Sequence, residues 1–169
     1  GFGVGPHAFV CVQLARLADI KRPQTLAAAC ASLRREGKDV VALFAGADQP
    51  GMADKLAAAA GGRSDAFRVL GHQSPRDVLW ASAIVEAMAC GVTPIRTRVE
   101  GAADQISDGV NGYLFDVGDE GRLTEILRML YEDRAKLAAL SAAAERDAQA
   151  RFDSEVMAEK VISTYQELI

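Results

Sequence analysis

The sequence has few of the residues that build metal centres and disulfide frameworks. Among its 169 residues are three cysteines and two histidines, and only 6% of the chain is aromatic. An odd number of cysteines does not suit a disulfide framework, and no histidine–cysteine cluster has the spacing of a zinc site. Because Cys11, Cys30 and Cys90 lie in apolar segments, we expect small buried thiols of a reduced compartment and no bound metal.

Long apolar runs and a strong charge of one sign are also missing. No apolar stretch approaches the roughly 20 residues of a membrane-spanning helix. The N-terminus lacks the charged-then-apolar layout of a signal peptide. A net charge of −4 argues against a surface that attracts nucleic acid or anionic lipid as a whole. We therefore expect a soluble, intracellular protein with no nucleic-acid partner and no transmembrane segment.

Several signatures of other protein classes are absent. The chain has no Ser-His-Asp or Cys-His arrangement and no Walker-type phosphate loop. No Gly-x-Gly-x-x-Gly pattern and no acidic cluster follow the first apolar run. These absences argue against an unrelated doubly wound binding module, such as a receiver or dinucleotide-binding domain.

What the sequence does contain is a regular alternation of strand and helix patterns. Half of the residues are hydrophobic and a quarter are charged, as in ordinary globular domains. Uniformly apolar strands that alternate with helices predict a parallel sheet covered on both faces, which is a Rossmann-like doubly wound α/β domain. The patterns predict strands at 8–12, 40–44, 67–71, 93–96 and 113–115, and helices at 22–35, 52–60, 102–106, 120–132, from 134 and after 154.

One junction breaks this alternation. Ser74 and Pro75 begin a helix as N-cap and first helical residue, and Ile84 begins a second helix with no strand between them. Either one continuous helix runs through the junction, or a strand with its loops, about 12 to 18 residues, is missing near Ser82–Ile84. We expect the omission. It would separate consecutive Cα atoms there by far more than the roughly 3.8 Å of a trans peptide.

Polar residues follow two of the predicted strands, and an acidic residue lies in the first turn of the helix that begins at Ile84. Arg16 and Lys21 suit a diphosphate. The arginine can donate forked hydrogen bonds, the lysine adds a point charge, and the dipole of the nearby helix N-terminus favours an anion. His72 and Gln73 lie in a loop whose backbone groups suit the edge of a nucleobase. Glu86, in the first turn of its helix, can accept hydrogen bonds from two vicinal hydroxyls, such as those of a ribose. The simpler alternatives are solvated cations, loop residues and a helix-dipole partner.

The order of these features resembles the C-terminal domain of GT-B glycosyltransferases, in the large retaining family called glycosyl transferases group 1, or GT4. The resemblance spans nearly the whole chain, and residues 85–95, Val-Glu-Ala-Met-Ala-Cys-Gly-Val-Thr-Pro-Ile, are its most specific match. The other matching segments are Ala15-Arg16-Leu17 with Lys21, Phe44-Ala45-Gly46, Val69-Leu70-Gly71-His72, 99–106, 108–112 and 151–165.

The resemblance implies that residues 1–169 are one domain, the donor-binding half of a retaining glycosyltransferase without its N-terminal acceptor domain. Arg16 and Lys21 would neutralise the diphosphate of a nucleotide-sugar donor and the charge on the leaving group. His72 and Gln73 would face the base, and Glu86, the second Glu of the family's Glu-x7-Glu motif, would bind the ribose. No cofactor or metal is implied. The acceptor, a glycan or lipid, would bind through the absent domain.

The chain departs from the family pattern at three positions. Val78 stands eight residues before Glu86, where the first Glu of the motif belongs, while Ala15 and Glu100 each replace a glycine. The alternative function is therefore a non-catalytic nucleotide-sugar-binding or scaffold domain, which requires a continuous helix through the junction.

As a fragment, the domain is expected to bind nucleotide weakly and to transfer no sugar, because half of the contacts and the desolvation on closure would be missing. The family's breadth suggests bacterial polysaccharide or lipopolysaccharide assembly. The expected location is cytoplasmic, with room for peripheral association of the full-length enzyme with the inner membrane.

Overall fold

The structure is a computed structural model that describes residues 4–47, 49–71 and 83–152. The chain divides into two compact units, Gly1–Trp80 with Gly118–Asp133, and Ala81–Val117 with Arg134–Ile169. Because each unit draws on two separate stretches of sequence, neither is a continuous domain. The prediction of one domain over residues 1–169 stays a prediction.

Strands and helices alternate along the described ranges as the sequence patterns predict. The parallel sheets with helices between their strands confirm the α/β class. In chain order the elements are β1 (Phe9–Leu14), a 3-10 helix (Asp19–Lys21), α1 (Pro23–Arg35), β2 (Val40–Ala45), α2 (Met52–Ala59), a 3-10 helix (Ser64–Ala66), β3 (Phe67–Gly71), α3 (Ala83–Ala89), β4 (Ile95–Thr97), α4 (Ala102–Gln105), β5 (Tyr113–Phe115), α5 (Glu120–Glu132) and α6 (Arg134–Phe152).

The first unit is built on a parallel sheet in the order β1-β2-β3. All six residues of β2 are buried, as expected of an apolar strand with a neighbour on each side. Helix α1 packs against both α2 and α5, and its buried residues include Ala27, Ala29 and Leu33. The core of this unit therefore lies around β2 and α1.

The prediction of a buried first strand is wrong for alternate residues of β1. Val10, Val12 and Leu14 are 43%, 53% and 45% exposed, whereas Phe9 is buried. Successive side chains of a strand point to opposite faces of the sheet, so one face of β1 packs inside the unit and the other reaches solvent.

The prediction of three buried thiols also fails at one position. Cys30 is buried in α1 and Cys11 is partly buried in β1, but Cys90 is exposed because it lies in the turn that ends α3. A hydrogen bond with the neighbouring Cys30 thiol, together with burial, raises the pKa of Cys11 well above its ordinary value. Cys11 is therefore a protonated, unreactive thiol at neutral pH.

Among its described residues, the second unit has a two-stranded parallel sheet, β4-β5, and two small hydrophobic clusters. Met88 of α3 is fully buried against Ala144 and Ala148 of α6. The small alanine side chains let the two helices approach closely. The other cluster joins the buried residues Ala102, Ile106 and Leu114.

The predicted helix start at Ser74, the junction up to and including Ser82, and the predicted helix after Ser154 lie outside the described residues. Helix α3 is described from Ala83 onward. Within the described ranges, no helix is long and apolar enough to cross a membrane.

Candidate functional site

Residues 15–22, named here the β1–α1 segment, carry the two predicted diphosphate ligands. Arg16 follows β1 by two residues and Lys21 ends the 3-10 helix, and both are exposed. Neither side chain forms an ion pair or hydrogen bond with any part of the chain that the structure describes. The structure thus places two cations whose charge is not compensated by a described carboxylate on one short segment.

Backbone hydrogen bonds hold this segment against the end of β2. The N–H of Leu17 donates to the carbonyl oxygen of Ala47 at 2.8 Å, and the carbonyl oxygen of Leu17 accepts from the N–H of Gln49 at 3.0 Å. The N–H of Gly46 in turn donates to the carbonyl oxygen of Gly71, at the end of β3, at 2.9 Å. The carboxyl ends of all three strands are therefore connected at the sheet edge where parallel α/β proteins bind ligands.

The backbone turns sharply at Arg22, where the segment meets the start of α1. Arg22 is the N-cap residue of that helix, and with φ of 45° it is the one non-glycine residue in the described ranges with a positive φ. Pro23 follows at the first helical position, where its fixed φ favours the helix and its missing N–H is not needed. The side-chain amide of Gln13 donates to the carbonyl oxygen of Lys21 at 3.0 Å and fixes the end of the 3-10 helix.

Asp19, between the two cations in sequence, is bound by residues outside the segment. The Nζ of Lys55 in α2 lies 2.7 Å and 2.6 Å from its two carboxylate oxygens, and Nε2 of Gln24 donates to Oδ1 at 3.2 Å. These hydrogen bonds, that of Lys55 above all, lower the pKa of Asp19. This arrangement is not predictable from the sequence, because Asp19 and Lys55 are 36 residues apart and no local pattern links them.

The other predicted donor-binding residues lie either outside the described residues or in the second unit. His72 and Gln73 lie outside the described residues, directly after the end of β3. Glu86 belongs to the second unit, where it is exposed in the first turn of α3. It lies on the same helix as the buried Met88, so α3 buries an apolar face and presents Glu86 to solvent.

The Asp-Gly-Val-Asn-Gly run at 108–112 proves to have a structural role. Asn111 is 3% exposed; its Oδ1 accepts from the N–H of Ser107 at 2.8 Å, and its Nδ2 donates to Asp147 Oδ2 at 2.7 Å. The carboxylate of Asp108 accepts from the N–H of Leu114 at 2.9 Å. These side chains stabilise a turn and attach it to α6.

Asp104 is exposed in the short helix α4, and its backbone carbonyl oxygen accepts a hydrogen bond from the guanidinium of Arg151. Among the residues that the structure describes, no three His, Cys, Asp or Glu side chains lie close enough together to hold a metal ion.

Comparison with protein-family models shows a match to "Glycosyl transferases group 1" over residues 79–147. Among curated proteins, the chain is similar to the D-inositol 3-phosphate glycosyltransferase of Thermobispora bispora. The two are 33% identical over 150 residues, which is 89% of this chain and 32% of that protein. The chain spans only a fifth to a third of the length of the curated relatives it matches.

The fold of this chain is similar to that of solved structures over almost its whole length. The Anabaena protein Alr3699/HepE, solved in complex with UDP and glucose, matches with a TM-score of 0.79 and 25% identity, over 95% of this chain and 48% of that one. The C-terminal domain of the glycosyl transferase group 1 family protein LpcC from Francisella tularensis matches with a TM-score of 0.75 and 17% identity, over 89% of both chains. The similarity to the Anabaena protein and the fold shared with the LpcC domain confirm the predicted Rossmann-like architecture.

Proposed function

This chain belongs to the glycosyl transferases group 1 family, as the C-terminal domain of such an enzyme, and from that premise we propose that it binds the nucleotide-sugar donor. The full-length enzyme would move a sugar from a nucleotide-diphosphate sugar to an acceptor glycan or lipid, with retention of the anomeric configuration. The acceptor would bind through a separate N-terminal domain. The complex of the Anabaena protein with UDP and glucose supports a donor of this kind.

The observation that carries the proposal is the pair of exposed cations on the β1–α1 segment. The guanidinium of Arg16 can donate two parallel hydrogen bonds to phosphate oxygens, and the ammonium of Lys21 adds a compact positive charge. When the bond between sugar and diphosphate breaks, negative charge grows on the leaving diphosphate. Two cations at that place would stabilise the transition state more than the ground state.

The remaining roles follow the order of elements along the chain. Glu86 would accept hydrogen bonds from the ribose hydroxyls, and His72 and Gln73 would lie against the base, mainly through backbone groups. No metal ion is required, because Arg16 and Lys21 supply the positive charge that the leaving group needs. Residues 1–169 by themselves would bind nucleotide weakly and transfer no sugar, because the acceptor would bind through the N-terminal domain.

Calorimetric titration of this chain with UDP, GDP and ADP in turn tests the proposal. We expect one of the three to bind, and Arg16→Ala to weaken it about tenfold to a hundredfold, the value of one or two hydrogen bonds to a charged group. Arg35→Ala is the matched control, because Arg35 is an exposed arginine at the other end of α1, about 20 Å along a 13-residue helix. Equal losses in both variants, or binding of none of the three nucleotides, would contradict the proposal.

The second candidate is a non-catalytic nucleotide-sugar-binding or scaffold domain, which is favoured by Val78 in place of the first motif Glu. Assays of the full-length protein with the sugar donors of the nucleotide that binds separate the two functions. Transfer of sugar, or hydrolysis of the donor, supports the enzyme. Nucleotide binding without either reaction supports the scaffold.

The curated relatives are bacterial proteins. From the breadth of the family, we extend the proposal to bacterial polysaccharide or lipopolysaccharide assembly in the cytoplasm, with peripheral association of the full-length enzyme with the inner membrane.

A further inference from the structure

We propose that Lys55 is a positioning residue of the donor site: by binding Asp19, it keeps Arg16 and Lys21 free for the diphosphate. The inference rests on the proposed function, and it assigns a role to two residues outside the resemblance described above. Lys55 would not touch the nucleotide. It would act through the charge of Asp19.

The contacts of Asp19 single it out within the β1–α1 segment. It is the one acidic residue among residues 15–22, and it stands three residues after Arg16 and two before Lys21. Both of its carboxylate oxygens are bound by the Nζ of Lys55, at 2.7 Å and 2.6 Å, and Oδ1 also accepts from Gln24. The carboxylate is thus bound by one side chain of α2 and one of α1.

A carboxylate so close in sequence to two cations would otherwise weaken an anion site in two ways. It would compete with the diphosphate for Arg16 or Lys21, and its own negative charge would repel the ligand. With Lys55 in place, the acid and the lysine cancel each other and the net positive charge of Arg16 and Lys21 remains. The geometry accounts for why neither cation forms an ion pair with a described carboxylate.

Lys55 is well placed for this role because α2 begins next to the segment. Helix α2 follows β2, and the Gln49 N–H that precedes it donates to the carbonyl oxygen of Leu17, within the segment. The Lys55–Asp19 pair is exposed, with 46% and 54% of the two side chains accessible. Exposed ion pairs contribute little to stability, so an effect of Lys55 on affinity is separable from an effect on folding.

The test compares three variants of this chain, K55M, D19N and D19N/K55M, by calorimetric titration with UDP, GDP and ADP and by thermal unfolding. Met keeps the length of the lysine stem without its charge. We expect K55M to raise the Kd of the nucleotide that binds about three- to fivefold, the effect of one exposed charge pair. D19N should bind at least as tightly as the unmutated chain, because it removes the competing acid and releases Lys55.

The double variant distinguishes two roles of the Lys55–Asp19 pair: neutralising the charge of Asp19, or anchoring the β1–α1 segment to α2. If Lys55 acts by neutralising Asp19, D19N/K55M restores the affinity that K55M loses. If the pair only ties the segment to α2, D19N and the double variant bind as weakly as K55M, and that result would overturn the inference.

Lys38 provides the matched control, because its Nζ lies 2.7 Å from Glu132 in another ion pair of the first unit. K38M should leave the Kd unchanged, and an equal loss in K38M would overturn the inference as well. Failure of the inference is distinguishable from failure of the proposed function. If the unmutated chain binds none of the three nucleotides, both are overturned; if it binds and K55M binds equally well, only the role of Lys55 is overturned.

Discussion

Gly46 lies directly against the carbonyl group of Ala15, so that no side chain fits between the ends of β2 and β1. A Cβ atom built on Gly46 would overlap the Ala15 carbonyl oxygen and lie 2.7 Å from its carbonyl carbon, and 3.2 Å from the backbone nitrogen of Arg16. The φ of Gly46 is +150°, which also disfavours any side chain. This close approach lets the β1–α1 segment pass next to β2 and thereby sets the position of Arg16.

Substitution of this glycine should damage both stability and the donor site. In Gly46→Ala the backbone of Ala15 and Arg16 must move, and we expect a loss of about 2 kcal/mol or more in the free energy of unfolding, together with weaker nucleotide binding. Gly37→Ala is the control, since Gly37 has φ of +81° but no atom within 4 Å of its Cβ position. It should lose only about 1 kcal/mol and keep its nucleotide affinity. Urea unfolding and calorimetry measure the two quantities, and equal effects of both variants would refute the steric argument.

The buried side chain of Asn111 should contribute to stability and not to nucleotide binding. Asn111→Ala leaves the N–H of Ser107 without its acceptor and removes one of the two donors to Asp147, which keeps its ion pair with Arg151; the free energy of unfolding should fall by about 1–3 kcal/mol. Asn111→Asp should be worse, because it places a second carboxylate beside Asp147. Ser107→Ala keeps the backbone N–H and should change stability by no more than about 0.5 kcal/mol. Urea midpoints of the three variants check this order.

Stability should fall in acid partly through the pair formed by Glu36 and Arg128. Hydrogen bonds from Arg128, at 2.9 Å and 2.5 Å, lower the pKa of Glu36 in the folded protein. A carboxyl whose folded pKa is below its unfolded value stabilises the protein above the unfolded pKa, and this contribution disappears as the pH falls through the folded pKa.

Arg128→Met should therefore be less stable than the unmutated chain at pH 7, and the difference should shrink below about pH 4. Arg35→Met, at an arginine that makes no ion pair within the described residues, should show no such pH-dependent difference. Urea unfolding at pH 7, 5 and 3 gives the comparison, and a deficit of Arg128→Met that stays constant down to pH 3 would contradict the assignment.

The proposed role of Glu86 can be tested with nucleotides that lack the ribose hydroxyls. If Glu86 binds the vicinal hydroxyls, the unmutated chain should bind the 2′,3′-dideoxy form of its nucleoside diphosphate at least about tenfold more weakly than the normal form. In Glu86→Ala the two forms should bind almost equally, because the group that distinguishes them is gone. A preference for the normal ribose that survives in Glu86→Ala would assign the hydroxyls to another residue. Calorimetry with both nucleotides gives the four affinities.

Most of the fold was predictable because its signals are local. The bounds of β3 and α5 agree with the sequence patterns at both ends, and those of α1 and α2 agree within one residue. Gly37 ends one helix pattern and Gly61-Gly62 another, and all three glycines have positive φ. Apolar spacing and helix-ending glycines act over a few residues, so they are readable without the rest of the chain.

The predicted strand at 93–96 is displaced in the structure, where β4 spans Ile95–Thr97. Thr93 instead contacts α6: its hydroxyl oxygen lies 3.0 Å from that of Ser141, with which it forms a hydrogen bond. Pro94 precedes the strand, and its carbonyl oxygen accepts from the N–H of Tyr113. The true start of β4 is thus set by partners about 20 and 50 residues away, which no local pattern contains.

By itself, the sequence determined the α/β class, the order of the elements and the ordered set of motifs that resembles group 1 glycosyltransferases. It also identified Arg16 and Lys21 as candidate phosphate ligands, because cations between a strand and a helix are visible in the sequence. The tertiary structure alone decided that Lys55 binds Asp19 and that Gly46 lies against Ala15. Both contacts join residues about 30 or more positions apart, and only the parallel pairing of β1 with β2, with a helix between them, brings such residues to one edge of the sheet.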